Sequence, residues 1–476
     1  MGAFIMKRIL YLLTEERPKV HIVHDIINLE YNSTLYDGAK IVPVMAEGDK
    51  FTFIYHAEGI EVDGFDAVLI KIVSGHSSFV DYLVFDSYEL NPAPNTIALF
   101  QINEYEVDLS YHFGEGWTVP IPHPTDLPRY VVEETKTDDN ESRNTNAFQR
   151  SSKFVFCEHY YGAEVNKYML YDISDGRTLS GTDTHTFGMR MLVTNDVILV
   201  GLPHKYLPFT DIYDFIAERN RIANNGPSHN VPIYLNIDEQ NDIIYLSAKL
   251  DKGEGTAKHK ISHDPNIGAV AIISATLRKL GWQGAIEIVN HNLLPSSISS
   301  RSKGNKLLFI MKKLGVHFNG IDVNWEFISN NIDYFYYNFT SEKIVSIYYH
   351  LYVEDKLSDV EAIFDNHAGC GKSYFRTPNG ILSVSKDTPL PDLVLYDSVE
   401  NTVKVIEAEK AENAWNGVRQ LDTFDAFINR YVNRYYPGAA VEKSVITWGK
   451  SSNPYVSFYL DTDGSAVFVD DFEGKL

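Results

Sequence analysis

The chain has 476 residues, 44% of them hydrophobic and 13% aromatic, with a formal charge of −22. This composition excludes a fibrous or disordered chain, supplies core for about two to four domains, and argues against a protein that holds polyanions by bulk charge alone. The two cysteines, Cys157 and Cys370, are too few for a zinc cluster or a disulfide framework, so a reducing compartment is expected.

At the N-terminus Lys7-Arg8 precede an apolar run, Ile9 to Leu13, too short for a secretory signal, and no later segment approaches a membrane span. A cytoplasmic location with no membrane partner is the expectation. A helix is predicted over Val20 to Leu29, then strands over Ile41 to Met45, Phe51 to Tyr55 and Ala67 to Ile72. The apolar stretch Ser77 to Phe85 reads as a strand carrying Asp81. A proline-rich insertion at about residues 87 to 128 separates it from a further strand, Tyr130-Val-Val-Glu-Glu134-Thr-Lys136. Thr137 to Arg150 reads as a turn leading into a helix, followed by strands at Lys153 to Phe156 and Val197 to Leu202 and a helix at Thr210 to Ala223. The polar cluster Ala223 to Asn230 marks a boundary.

Beyond it, Pro265 to Gly281 is predicted helical, with proline at its start, cations in its last turn and glycine past its end. A strand at Ala285 to Val289 and a helix ending at Lys312-Lys313 follow. The last part reads as helices at Thr340 to Tyr352 and Ser358 to Asp365, a glycine loop, a strand carrying Asp392, and a turn built on Asp397, Glu400 and Asn401. Val403-Lys-Val-Ile-Glu407-Ala-Glu409-Lys410 is the return strand, and a helix from Ala414 to Tyr431 and further strands complete the chain. The expected domains are residues 1–225 and 321–476, with a small central module at 226–320.

Two strands thus end in carboxylates, and each follows a strand with an aspartate. Side chains alternate across a pleat, which puts Glu134 with Lys136 on one face, and Glu407 with Glu409. Charges at the end of a strand buried on both sides are costly unless they pair or hold metal. Aspartate and glutamate oxygens from neighbouring strands suit a hard divalent cation, Mg2+ above all, which polarises a phosphoryl oxygen and acidifies bound water while a lysine steadies developing charge. The expected metal ligands are therefore Asp81 and Glu134 at one site and Asp392 and Glu407 at the other, with Lys136 and Glu409 as further catalytic groups.

An aspartate followed on the next strand by Glu-x-Lys resembles the PD-(D/E)xK nuclease superfamily, which includes most type II restriction endonucleases. Asp81 with Glu134-Thr-Lys136 carries the resemblance over residues 75 to 155, and Arg143, Gln149 and Arg150 match positions that family members place near the DNA backbone. Pro391-Asp392 with Val405-Ile-Glu407-Ala resembles the PstI/BsuBI group, although Glu409 stands where the lysine is expected, giving the Glu-x-Glu variant of the BamHI type; Lys410 faces the other side unless a bulge rotates it, and a lysine from elsewhere, such as Lys372, could substitute. The resemblance implies an α/β fold with two restriction-endonuclease-like cores, mixed sheets flanked by helices, and Mg2+-dependent hydrolysis of double-stranded DNA. It also implies a companion DNA methyltransferase, and a homodimer is a further expectation.

Charge distribution adds a weaker signal. Residues 241 to 313 hold eleven lysines and arginines against five acids, so Lys258, Lys260, Arg301, Lys303 and Lys306 are candidate DNA contacts in an otherwise acidic chain. Gly369-Cys-Gly-Lys372-Ser373 ends like a phosphate-binding loop, but Asn366 stands where its first glycine belongs. The alternatives are a nuclease with one degenerate copy, or a non-catalytic DNA-binding or defence-complex scaffold whose acids are surface residues. RNA as substrate also stays open, since nothing in the motifs reads the sugar.

Overall fold

The computed structural model describes residues 7–14, 17–45, 54–72, 80–90, 96–98, 118–120, 122–123, 126–136, 146–162, 165–172, 183–225, 233–248, 250, 265–291, 293, 305–326, 340–366, 374–384, 387–461 and 465–469. Branched and aromatic runs bounded by turn residues form its strands, and mixed β-sheets flanked by helices give a multidomain α/β architecture. The chain divides into two units, each drawn from separate stretches: Met1–His76, Asp86–Pro124 and Phe335–Leu476 form the first, and Ser77–Phe85 with Thr125–Tyr334 the second.

In the first unit, Ile9–Thr14 pairs in parallel with Ala67–Ile72, and Ile54–Val62 and Ser33–Met45 extend the sheet antiparallel. A second, eight-stranded sheet contains the segment most relevant to chemistry. Val360–Asp365 lies antiparallel to Leu393–Asp397, which forms a hairpin with Thr402–Lys410; Ala440–Trp448 and Val456–Leu460 continue in parallel. Parallel strands need a crossover, and Ala414–Leu421 with the irregular helical turns to Tyr435 supplies it. These turns bury Leu421, Phe424, Phe427, Tyr431 and Val432 against Val394, Val403, Val405 and Val445. Burying one such large side chain is worth about 1.5–3 kcal/mol, so this face anchors the strands firmly.

The second unit repeats the local plan. Tyr82–Asp86 is antiparallel to Tyr130–Lys136, helix Asn146–Tyr161 crosses over, and Asn166–Asp172 and Val197–Val200 continue in parallel. A four-stranded sheet, Tyr234–Asp238, Ile243–Ser247, Ala285–Val289 and Val316–Phe318, has one antiparallel and two parallel pairings, with helices Pro265–Lys279 and Asn305–Lys313 between its later strands.

Two expected elements change type. Lys153 to Phe156 is not a strand but the middle of helix Asn146–Tyr161, where Phe154, Val155 and Phe156 are all buried. A short apolar run fits a helix buried on most sides as well as a strand, and here the helix packs against Pro265–Lys279 and Asn305–Lys313, with the Phe156 and Phe309 rings 6.0 Å apart. Ser358 to Asp365, expected helical, contains strand Val360–Asp365, held on both sides by neighbouring strands. No helix among the described residues is long and apolar enough to cross a membrane.

Candidate functional site

The hairpin Leu393–Asp397 to Thr402–Lys410 owes its register to its turn. The Asp397 carboxylate accepts from the Val399 and Glu400 amides, and Asn401 takes φ of +51°, a left-handed position that asparagine tolerates. Leu393 consequently faces Ile406, and Asp392, the residue before the strand, comes opposite Glu407. The Asp392 amide donates to the Ile406 carbonyl at 3.1 Å, and its Oδ2 accepts from the Ala408 amide at 3.0 Å.

Glu407 and Glu409 are only 7% and 9% exposed, and Glu407 Oε2 is shielded from solvent with no hydrogen-bond partner. Burial, then the charges of Asp392 and Glu409, push the Glu407 carboxyl well above the ordinary glutamate range, and the Asp392 amide opposes this weakly. Burial likewise raises Asp392, against the Ala408 amide and the Lys343 charge. Glu409 is raised by burial and by the charges of Glu342 and Asp392, while Gln420 Nε2 donates to its Oε1 at 3.1 Å. Gly417 permits that approach, because a β-carbon there would lie 3.0 Å from Glu409 Cγ.

Asp81 stands just before its strand in the same way. Tyr82 faces Val132, so Asp81 comes opposite Glu133, not Glu134. The Asp81 amide donates to Glu133 Oε2 at 2.9 Å, and the Glu134 amide donates to Asp81 Oδ2 at 3.1 Å. Glu133 is completely buried. Its carboxylate accepts from Lys153 Nζ at 2.7 and 3.0 Å, and the same ammonium lies 3.4 Å from Asp81 Oδ1. The Glu134 side chain turns to the other face and accepts from the Tyr82 hydroxyl at 3.0 Å.

Backbone wiring therefore aligns the two hairpins. The amide following the buried glutamate bonds the aspartate in both, Glu134 in one and Ala408 in the other, which puts Glu133 in the place of Glu407 and Thr135 in that of Glu409. The expectation that Glu134 meets Asp81 fails on parity: Tyr130, Val131 and Val132 are all fully buried, so the apolar run does not say which of the next two residues points to the site.

Lys136 ends its strand opposite Asp172, and its side chain lies outside the described residues. Gln149 and Arg150 begin helix Asn146–Tyr161 and Lys306 lies in Asn305–Lys313, again without described side chains. Arg143, Lys258, Lys260, Arg301, Lys303 and Lys372 lie outside the described residues altogether. Lys410 is half-buried at the end of its strand.

Sequence reasoning missed Lys153, Gln420, Glu342 and Lys343, all delivered by helices. Only Glu342 and Lys343 carried a signal, since Thr340 precedes them as a helix-capping residue and accepts from the Lys343 amide at 3.4 Å. Among the described residues, no three His, Cys, Asp or Glu side chains form a ready-made metal-holding group. No family model, no curated protein and no solved structure matches the chain.

Proposed function

We propose that the chain is a Mg2+-dependent endonuclease of the PD-(D/E)xK type, built on two restriction-endonuclease-like cores, with Asp392, Glu407 and Glu409 as its working centre and double-stranded DNA as substrate. One observation carries this reading: Glu407 Oε2 is buried beside a second carboxylate and has no partner. Such an oxygen is costly in a protein that binds no cation. The residues present fit the ion, because Mg2+ is commonly held by one or two carboxylates together with water and substrate phosphate, and a three-residue cage is not required.

Asp392 and Glu407 would hold the ion, which when bound supplies Lewis acidity and acidifies a bound water. Gln420 holds Glu409 through Oε1, which orients Oε2 to take a proton from the attacking water. Lys343, whose charge favours ionised Asp392, would steady negative charge in place of the absent motif lysine. The same resemblance makes a companion methyltransferase part of the proposal. The opposing reading, a scaffold with surface acids, is disfavoured by the burial of Glu407 and Glu409.

Incubating supercoiled plasmid with the protein tests this directly. Mg2+ should produce cleaved forms, EDTA none, and Glu407→Gln should lower the rate by at least about 100-fold, the order expected when a principal charge-stabilising element is removed. Unchanged cleavage by a folded Glu407→Gln variant would sink the assignment.

A further inference from the structure

The hairpin of the second unit has the backbone wiring of the first but a different charge balance. Its aspartate and buried glutamate are in place, yet Thr135 stands where the first unit has a third carboxylate, and an ammonium reaches both acids. Glu133 is fully buried, while the Lys153 and Asp81 side chains are 16% and 29% exposed, so the pair is reached from solvent past these two groups. The Lys153 ammonium offsets one of the two negative charges that ionised Asp81 and Glu133 would carry. Coulomb attraction falls accordingly, and an arriving cation must also displace a charge-assisted hydrogen bond of 2.7 Å.

We propose that Asp81 and Glu133 form a latent divalent-cation site whose ion position is filled by Lys153, so that the wild-type chain takes up no metal there. Lys153 is a tethered cation in this scheme: its ammonium bonds both oxygens of the buried Glu133 carboxylate, a place that a metal ion would otherwise take. On this proposal Asp81 is not a metal ligand in the resting protein. The proposal rests on the nuclease reading only for the comparison site.

Mn2+ is a suitable probe, counted per full-length chain by calorimetry and by the loss of its free electron-spin signal. In the wild-type protein, Glu133→Gln should leave the number of bound ions unchanged. Lys153→Met should add one ion per chain, Lys153→Met with Glu133→Gln should lose it again, and Lys153→Arg should match the wild type. Circular dichroism establishes folding first; if Lys153→Met is unfolded, Lys153→Gln, which can still donate to Glu133, is read in the same way. Loss of an ion from the wild type on Glu133→Gln would overturn the proposal, as would a folded Lys153→Met or Lys153→Gln that gains none. Because the readout is a count of ions and not cleavage, this failure is separable from failure of the nuclease assignment.

Discussion

Glu407 is destabilised in its charged form by burial first and by two neighbouring carboxylates second. A group whose folded-state pKa lies above its unfolded value contributes stability that is complete below the unfolded value and is lost as pH rises through the folded one. Asp392, Glu407 and Glu409 are all shifted upward, so all three act in the same direction. The ion-free protein should therefore lose stability as pH rises from the ordinary carboxylate range through neutrality. Glu407→Gln removes the most strongly opposed charge and should make the ion-free protein more stable at pH 8 than the wild type. Thermal unfolding from pH 5 to 9 in EDTA measures this. A wild-type profile that Glu407→Gln does not flatten would mean that these carboxyls are not strained. Lys153 shows the opposite solution to the same cost, a buried carboxylate compensated within the chain.

Helix Ser341–Lys356 carries charge at both ends. Glu342 and Lys343 act on the carboxylates from its first turn, and Glu354 is tied near its last. Burial opposes ionisation of Glu354, but His350, Arg17 and the Ala362 amide outweigh it and hold its carboxyl far below the usual range. Arg17 Nη1 donates to Glu354 Oε2, and the Ala362 amide donates to Oε1 at 3.0 Å. A depressed pKa contributes stability above the unfolded value that is lost as pH falls, the reverse of the trend at Glu407. Glu354→Ala leaves Arg17 without this partner and should cost about 3–5 kcal/mol, with a correspondingly lower Tm at pH 7. A loss below about 1 kcal/mol would place the pair among weak surface contacts.

The helices also mark the limit of what could be read from the sequence. The turn Asp397 to Asn401 made the pairing of Asp392 with Glu407 legible, because turn chemistry and hairpin register are local. Glu133 was hidden by an apolar run buried on both faces, and Lys153 by a segment whose composition suits strand and helix alike. Glu342 and Gln420 reach the carboxylates through tertiary packing, to which spacing along the chain gives no access.

For the whole molecule, a formal charge of −22 sets the terms of any encounter with a polyanion. On the proposed function, Asp392, Glu407 and Glu409 belong to that negative charge, so divalent cations should be needed for binding DNA as well as for cleaving it. If Lys153 closes one of the two centres, each chain carries one live centre and can cut one strand per encounter. Cutting both strands then needs two chains together or two successive visits. Open circles should accumulate when protein is scarcer than plasmid, and linear product should appear with steeper than first-order dependence on protein concentration. Glu133→Gln should leave nicking in place, since Glu133 belongs to the centre that Lys153 closes, whereas Glu407→Gln should abolish nicking and linearisation together. Direct conversion of plasmid to linear form at limiting protein, first order in the chain and without an open-circle intermediate, would instead require both centres to be live, and Glu133→Gln would then yield nicked circles alone.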